Sequence, residues 1–149
     1  MKQRRIFAAS LIALCACLCL AACGGKASGY ELLESGERIV AVKASETNEQ
    51  VSLFDVLLRL REEGEIEFTY SDSEYGAYIL SVNGYTPDSS KNEYWAVYTT
   101  LGEYKEVSYS SAEYGTYDYN GTVCASASYG VSGLPMVEGN VYLLTVGTY

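Results

Sequence analysis

The first 23 residues limit most strongly what this chain can fold into. Three basic residues within positions 2–5 precede an uncharged apolar run over 6–20, and two alanines separate that run from Cys23. This is the layout of a lipoprotein signal peptide. The apolar run is shorter than the roughly 20 residues that span a bilayer. We therefore predict that residues 1–22 are cleaved and that Cys23 is lipidated; the alternative is an ordinary secretory signal in which Cys23 is incidental.

The charge of the remaining chain indicates how it is held at the bacterial cell envelope. Residues 1–22 include three of the ten basic residues and none of the nineteen acidic ones, which leaves a net charge of −12. Nucleic acid and anionic headgroups both select clustered Lys and Arg, so the composition argues against either partner. We expect an extracytoplasmic protein attached to the membrane through its lipid, with residues 23–29 forming the lipidated cysteine and a flexible tether.

Residues 30–149 are expected to form a single domain without an internal disulfide. The roughly 125 residues after Cys23 are the size of one domain. Only Cys124 follows Cys23, so the domain has no cysteine pair. A lone cysteine is more often a small buried strand residue, and a reactive thiol is the alternative.

Tyrosine is the outlier of the composition, with fifteen residues, all of them after Cys23. Tyrosine has a high strand propensity and an amphipathic ring. Its frequency therefore indicates a strand-rich exported domain with half-exposed strands. The alternative, more specific interpretation is a binding face lined by tyrosines.

One segment, 52–63, has the pattern of a helix. Ser52 can cap its start together with Asp55, and Gly64 can end it. Four apolar residues recur at helical spacing: Leu53, Val56, Leu57 and Leu60. One face of this helix must therefore be buried.

Alternating segments predict strands before and after this helix. The predicted strands are 30–34, 38–44, 66–70, 77–83, 94–100, 106–110, 116–119, 122–128 and 141–146. The Asn-Gly pairs at 83–84 and 120–121 predict tight turns, the second within a two-residue hairpin. The order of hairpin, helix and strands indicates an α+β fold with one helix packed across a mixed sheet.

Two motifs carry a resemblance to a known family. Residues 76–84 read Gly-Ala-Tyr-Ile-Leu-Ser-Val-Asn-Gly, and a Tyr-Trp strand begins at Tyr94. With the helix and the strand after Asn140, residues 38–149 resemble the transcobalamin-like C-terminal domain of bacterial exported proteins. The resemblance implies a β-grasp fold that binds a soluble ligand. The chain departs from the pattern at Asn140 and over 101–136, where we predict a tyrosine-rich β-hairpin insertion.

Catalysis is poorly supported by the residues available. The chain has no histidine, which removes the Ser-His and Cys-His nucleophile pairs and the commonest metal ligand. No phosphate loop, zinc spacing or calcium loop is present, and the acidic segment 72–74 reads as a solvated loop. We expect no enzyme, no cofactor and no metal.

The first functional hypothesis is a lipid-anchored binding module for a small soluble ligand or a peptide, and the family resemblance makes a corrinoid one candidate. The residues predicted to bind are aromatic, except for one turn asparagine: Tyr75, Tyr78, Asn83, Tyr85, Tyr94, Trp95 and Tyr98. Strand alternation places Trp95 and Val97 on one face and Tyr94 and Tyr98 on the other, so both groups cannot be core. We favour Trp95 as the core-facing residue.

The second hypothesis is a surface-displayed module that binds an envelope protein. Six tyrosines of the insertion would form its partner-facing surface: Tyr104, Tyr109, Tyr114, Tyr117, Tyr119 and Tyr129. A concave site near Asn83 and Tyr94 would favour the first hypothesis, and a flat tyrosine face would favour the second.

Overall fold

The computed structural model describes residues 28–149, so the predicted signal peptide, Cys23 and most of the tether lie outside the described residues. Within this range there are twelve strands and one α-helix. The strands are β1 Tyr30–Ser35, β2 Ile39–Ala44, β3 Asn48–Ser52, β4 Phe68–Ser73, β5 Gly76–Val82, β6 Glu93–Thr99, β7 Glu103–Tyr104, β8 Val107–Ser108, β9 Ser110–Tyr119, β10 Thr122–Ala127, β11 Pro135–Met136 and β12 Val141–Thr148. The helix α1 is Leu53–Glu62, and short 3-10 turns lie at Ser89–Lys91 and Val131–Gly133.

Helix α1 forms where its capping pattern predicts it. The Asp55 N–H donates to Ser52 Oγ at 3.2 Å, and the Ser52 N–H donates to Asp55 Oδ2 at 2.8 Å, which completes a capping box. Gly64, with φ +76°, follows its end. The four predicted apolar residues are buried against the sheet. Within residues 28–149, no helix is long and apolar enough to cross a membrane.

The main sheet has six strands in the order β1-β2-β12-β6-β10-β9. Every pair of neighbours is antiparallel. The α+β class with one packed helix is therefore confirmed, but the prediction of a mixed sheet is wrong. A parallel pair would need a crossover connection between neighbouring strands. Here β12, the last strand, instead lies antiparallel between β2 and β6.

Side chains from both faces of the main sheet are buried. The inner face packs against α1 and the β4–β5 hairpin in one large cluster that includes Tyr142, Val42 and Phe68. The outer face has a smaller cluster of Ala41, Cys124, Val141 and Leu143. Cys124 is fully buried, which confirms it as a packing residue. Burial raises the pKa of its thiol, and Asp118 adds to the shift.

The β9–β10 hairpin of the insertion covers this outer face. Its turn is the predicted Asn120-Gly121 pair, with φ values of +50° and +83°. A register shift between Ala125 and Ser126 interrupts its ladder, and Tyr117 and Tyr119 pack onto the outer cluster. The predicted β-hairpin is confirmed.

The sequence patterns missed several short elements. The strands β3 and β11 pair with each other, and the predicted strand over 106–110 is divided between β8 and the start of β9. The pairing of β3 with β11 joins residues far apart along the chain, so no local pattern indicates it.

Candidate functional site

The structure brings three of the seven predicted site residues into one cleft between β5 and β6, which we call the aromatic cleft. Its volume is about 180 Å³. Its principal lining residues are Tyr78, Leu80, Pro87, Glu93, Tyr94 and Trp95. A smaller hollow of about 80 Å³ adjoins it and shares Tyr78, Ile79 and Trp95. The site therefore consists of two adjoining hollows that share Tyr78 and Trp95.

Trp95 is the central side chain of the aromatic cleft. Its indole N–H donates to the Leu80 carbonyl at 3.3 Å, which ties β6 to β5. The ring of Tyr85 meets it edge to face, with centroids 6.3 Å apart. Trp95 and Val97 pack against the inner core cluster. The prediction that Trp95 faces the core is confirmed, and its remaining exposed part borders the cleft.

Tyr78 and Leu80 form the exposed wall of the cleft. Tyr78 is 59% exposed and Leu80 is 41% exposed, although both are large apolar side chains on β5. An aliphatic and an aromatic side chain left open beside a concave surface are typical of a contact site. This wall is thus the part of the cleft that a ligand can reach first.

A clamp of three side chains holds the rim of the cleft. The Arg38 guanidinium donates to Tyr85 Oη and, at 3.0 Å, to Glu93 Oε1, while the Tyr85 hydroxyl donates to Glu93 Oε2. The Arg38 guanidinium also lies 4.5 Å from the centre of the Tyr85 ring. The Asp88 N–H donates to Glu93 at 3.0 Å. The clamp fixes the loop 83–92 against the start of β2.

These hydrogen bonds favour the ionised form of Glu93. The pKa of the Glu93 carboxyl falls to about 2, chiefly because of the Asp88 N–H, then the Tyr85 hydroxyl and the Arg38 guanidinium. In the same clamp, the hydrogen bond to Glu93 raises the pKa of Tyr85. Tyr85, predicted as a ligand contact, instead packs against the Trp95 ring and does not line the cleft.

Asn83, also predicted as a ligand contact, makes its contacts within the fold. At φ +46° it turns the chain after β5, its side-chain carbonyl accepts from the Glu67 N–H at 2.9 Å, and its amide donates to Gly36 O at 2.8 Å. These bonds join the end of β5 to the β1–β2 turn.

The remaining two predicted residues lie away from the cleft. Tyr75 is 88% exposed in the β4–β5 turn. Tyr98 lies on the outer face, where its ring centre is 5.6 Å from that of Tyr117, and burial is the main cause that raises its pKa. Tyr98 thus lies on the face that strand alternation predicts for it, opposite to Trp95.

A larger cavity of about 440 Å³ lies elsewhere, open to solvent and walled mainly by polar residues of β3, the start of α1 and the insertion. At its edge, the Glu49 carboxylate on β3 accepts a hydrogen bond from Tyr104 Oη at 2.8 Å and forms an ion pair with Lys105 Nζ at 2.5 Å. Lys105 and Glu106 both have positive φ in the turn between β7 and β8. None of the seven predicted site residues lines this cavity.

The insertion tyrosines do not form one exposed face. Tyr104 and Tyr109 pack against the inner cluster, and Tyr117 and Tyr119 pack against the outer one. Only Tyr114, at 78%, and Tyr129, at 46%, are among the exposed large side chains. Tyr129 also contacts Tyr109 at a centroid separation of 5.6 Å. Four of the six residues thus serve packing.

Sequence reasoning missed Leu80 and Pro87 as cleft residues. Strand alternation along β5 could have indicated Leu80, because Leu80 is apolar at a position next to buried Ile79. No sequence signal indicates Pro87, which reaches the cleft only through the fold of the clamped loop.

The described residues offer no metal centre: among 28–149, no group of three or more acidic or cysteine side chains is arranged to hold an ion. Comparison of the chain with protein-family models, curated proteins and solved structures found no match.

Proposed function

We propose that this protein is a lipid-anchored extracytoplasmic binding module that takes a small soluble ligand in the aromatic cleft. The observation that carries the proposal is the open cleft of Tyr78, Tyr94 and Trp95, lined by exposed apolar side chains. Concave sites with aromatic walls and a few polar groups are the usual form of small-ligand sites. The proposal assigns no catalytic step to the chain.

The anchor is supported by the sequence of residues 1–23 and by the charge of the chain. With a net charge of −12 beyond residue 22, the protein has little electrostatic attraction for an anionic membrane. A diacylglyceryl group on Cys23 would supply two acyl chains, which stable attachment requires.

The cleft and the start of β1, where the tether joins the domain, lie at opposite ends of the sheet. Tyr30, where β1 begins, pairs with Ala44 at one end of the sheet. Glu93 pairs with Thr148 at the opposite end, roughly 20 Å further along the strands. A tether from Cys23 to Tyr30 spans at most about 25 Å. The membrane would therefore lie near the Tyr30 end, with the cleft open on the other.

The size of the cleft limits the ligand. The two hollows, about 180 Å³ and 80 Å³, are smaller than the roughly 300–1,000 Å³ pockets that enclose drug-sized molecules. A corrinoid, the candidate suggested by the family resemblance, would have to lie across the mouth of the cleft. The chain has no histidine to offer its cobalt. A ligand with one or two small apolar groups fits better.

We also propose, as the finer description of the fold, a variant of the β-grasp arrangement of transcobalamin-like domains. Its support is the opening hairpin followed by one helix across the sheet and a central last strand. The antiparallel pairing of β12 with both neighbours is a departure from that arrangement.

The surface-displayed alternative has a narrower basis. It is favoured by the exposed Tyr114 on β9, which is an edge strand of the main sheet. An edge strand can pair with another chain. Because four of the six insertion tyrosines are partly buried against the two clusters, the aromatic cleft is the better supported site.

Trp95 is the single tryptophan of the chain, so its fluorescence reports directly on the cleft. We expect N-acetyl-leucinamide and N-acetyl-prolinamide to shift the Trp95 emission of the full-length chain in detergent, saturably and in the millimolar range. Tyr78→Ala should weaken the response because it removes a wall of the cleft, and Tyr114→Ala, a matched exposed tyrosine elsewhere, should not. Cobinamide tests the corrinoid candidate. No response to any of these probes would refute the proposed site.

Attachment is tested separately by detergent phase partition. The wild-type chain from a bacterial envelope should enter the detergent phase, and Cys23→Ala should remain in the aqueous phase or stay unprocessed. Equal partition of the two, when mass measurement shows that residues 1–22 are removed from both, would show that Cys23 does not carry an anchor.

A further inference from the structure

On one side, strand β6 is paired with its neighbour β10 over only part of its length. β10 pairs with β6 through Ala125 and Ser126 only, opposite Thr99 and Tyr98. On its other side, β6 is paired with β12 along its whole length, from Glu93 to Thr99. Within residues 28–149, the part of β6 over 93–97 therefore has a strand partner on one side alone.

The direction of the backbone groups follows from the hydrogen bonds that flank β6. The Thr100 N–H donates to Val141 O at 3.0 Å, and the Tyr149 N–H donates to Asn92 O at 3.2 Å. Alternate residues of an antiparallel strand direct their groups to opposite sides. The even-numbered residues thus face β12, and Trp95 and the other odd-numbered residues face the uncovered side.

Four backbone groups on that side have no backbone partner in another segment of residues 28–149: the C=O of Glu93, the N–H and C=O of Trp95 and the N–H of Val97. Backbone groups of this kind form the template to which an additional strand can bind. The uncovered edge therefore offers directional hydrogen bonds beside the apolar hollows.

The two hollows lie next to each other beside β6. Both border Trp95; the smaller one also reaches Val97, and the larger one reaches Tyr94. In a strand, side chains two residues apart project to the same side about 6.6 Å from each other. One such pair of small apolar side chains can enter the two hollows together.

We infer that the ligand of the aromatic cleft is an extended peptide that adds as a strand along residues 93–97 of β6, where a longer β10 would lie. The inference rests on the proposed function, because it concerns the same cleft. Main-chain hydrogen bonds supply affinity in this mode, and the hollows select small apolar side chains at alternate positions. Basic flanking residues suit the −12 charge of the chain.

The test compares three versions of one capped peptide, Ac-Lys-Val-Ser-Leu-Lys-NH₂, by Trp95 fluorescence with the full-length chain in detergent. One version is unmodified, one carries N-methyl groups on Val and Leu, and one carries them on Ser and the second Lys. Only one alternate set of peptide N–H groups faces β6, so one methylated version should lose affinity by about tenfold or more and the other should bind nearly as the parent does. Equal affinity of all three would overturn strand addition.

Amide hydrogen exchange locates the added strand. The unmodified peptide should slow exchange of the Trp95 and Val97 N–H groups. Protection on β9 or β1, the outer edges of the sheet, would place the peptide elsewhere and overturn the inference. If the single-residue amides shift Trp95 emission but no version of the peptide binds, strand addition fails and the binding function stands. If neither class of probe acts, both fail.

Discussion

Two buried tyrosines allow the same chemical change to be tested with opposite expected signs. Tyr142 is fully buried in the inner cluster. Its hydroxyl donates to Pro135 O at 2.7 Å and accepts from the Val137 N–H at 3.0 Å. Tyr30 is 7% exposed, and among the described residues its hydroxyl is the one buried side-chain polar atom without a hydrogen-bond partner. Each phenylalanine substitution removes one hydroxyl and leaves the ring.

The expected magnitudes follow from which groups are left without a partner. Tyr142→Phe leaves two backbone groups without a partner: the nearly buried Val137 N–H, at a cost of about 2 kcal/mol, and the half-buried Pro135 carbonyl, at about 1 kcal/mol. The free energy of unfolding should therefore fall by about 3 kcal/mol. Tyr30→Phe removes a polar group that is desolvated without compensation. We expect it to leave stability unchanged or to raise it by up to about 1 kcal/mol.

Alkaline pH supplies a second signature of Tyr142. Burial raises its pKa from 10.0 to about 12. Between these values the unfolded chain loses the Tyr142 proton and the folded chain keeps it, so stability falls as pH rises. The loss should reach roughly 3 kcal/mol above pH 12. The stability advantage of wild type over Tyr142→Phe should therefore shrink over this range.

The assay is urea unfolding followed by circular dichroism at neutral and alkaline pH, with thermal unfolding beside it. For a domain of this size, Tyr142→Phe should lower Tm by about 10 °C, and Tyr30→Phe should leave Tm unchanged or raise it slightly. The reasoning is refuted if both variants change stability in the same direction by similar amounts.

Two further predictions concern single groups. Because the Glu93 carboxylate has a pKa of about 2 against 4.5, its stabilising contribution is complete above pH 4.5 and disappears as pH falls towards 2. Glu93→Gln should flatten the pH dependence of the urea midpoint in that window. If the midpoint of the variant falls with pH as steeply as that of wild type, the hydrogen bonds of the clamp do not stabilise the fold. Cys124 is fully buried with a raised pKa, so peptide mapping should find it alkylated by iodoacetamide in urea and protected in the folded chain. Rapid alkylation under native conditions would contradict this.

Local features of the fold were predictable from the sequence because both partners lie close together along the chain. The capping box of Ser52 and Asp55 joins residues three positions apart, and the Asn120-Gly121 turn needs only its own backbone preference. Strand alternation separated Trp95 from Tyr98 for the same reason. These signals predicted the helix, the hairpin insertion and the inward side of Trp95.

The candidate site could be predicted only in part, because its remaining partners are distant in sequence. The Glu93 carboxylate meets Arg38, 55 positions away, and Asn83 meets Gly36, 47 positions away. The local sequence does not show whether a polar side chain will bind a ligand or form hydrogen bonds within the fold. Asn83 and Tyr85 therefore resembled ligand contacts in the sequence, although their contacts in the structure lie within the fold.

The sequence by itself determined the lipoprotein layout before Cys23 as a prediction, the acidic charge, the α+β class and the position of α1, since these depend on composition and short-range periodicity. Only the tertiary structure decided that the sheet is antiparallel throughout and that β10 leaves part of β6 uncovered. Strand pairing is set by long-range register and by packing on two faces, and neither is encoded in a local window. The aromatic cleft and that uncovered edge meet at Trp95.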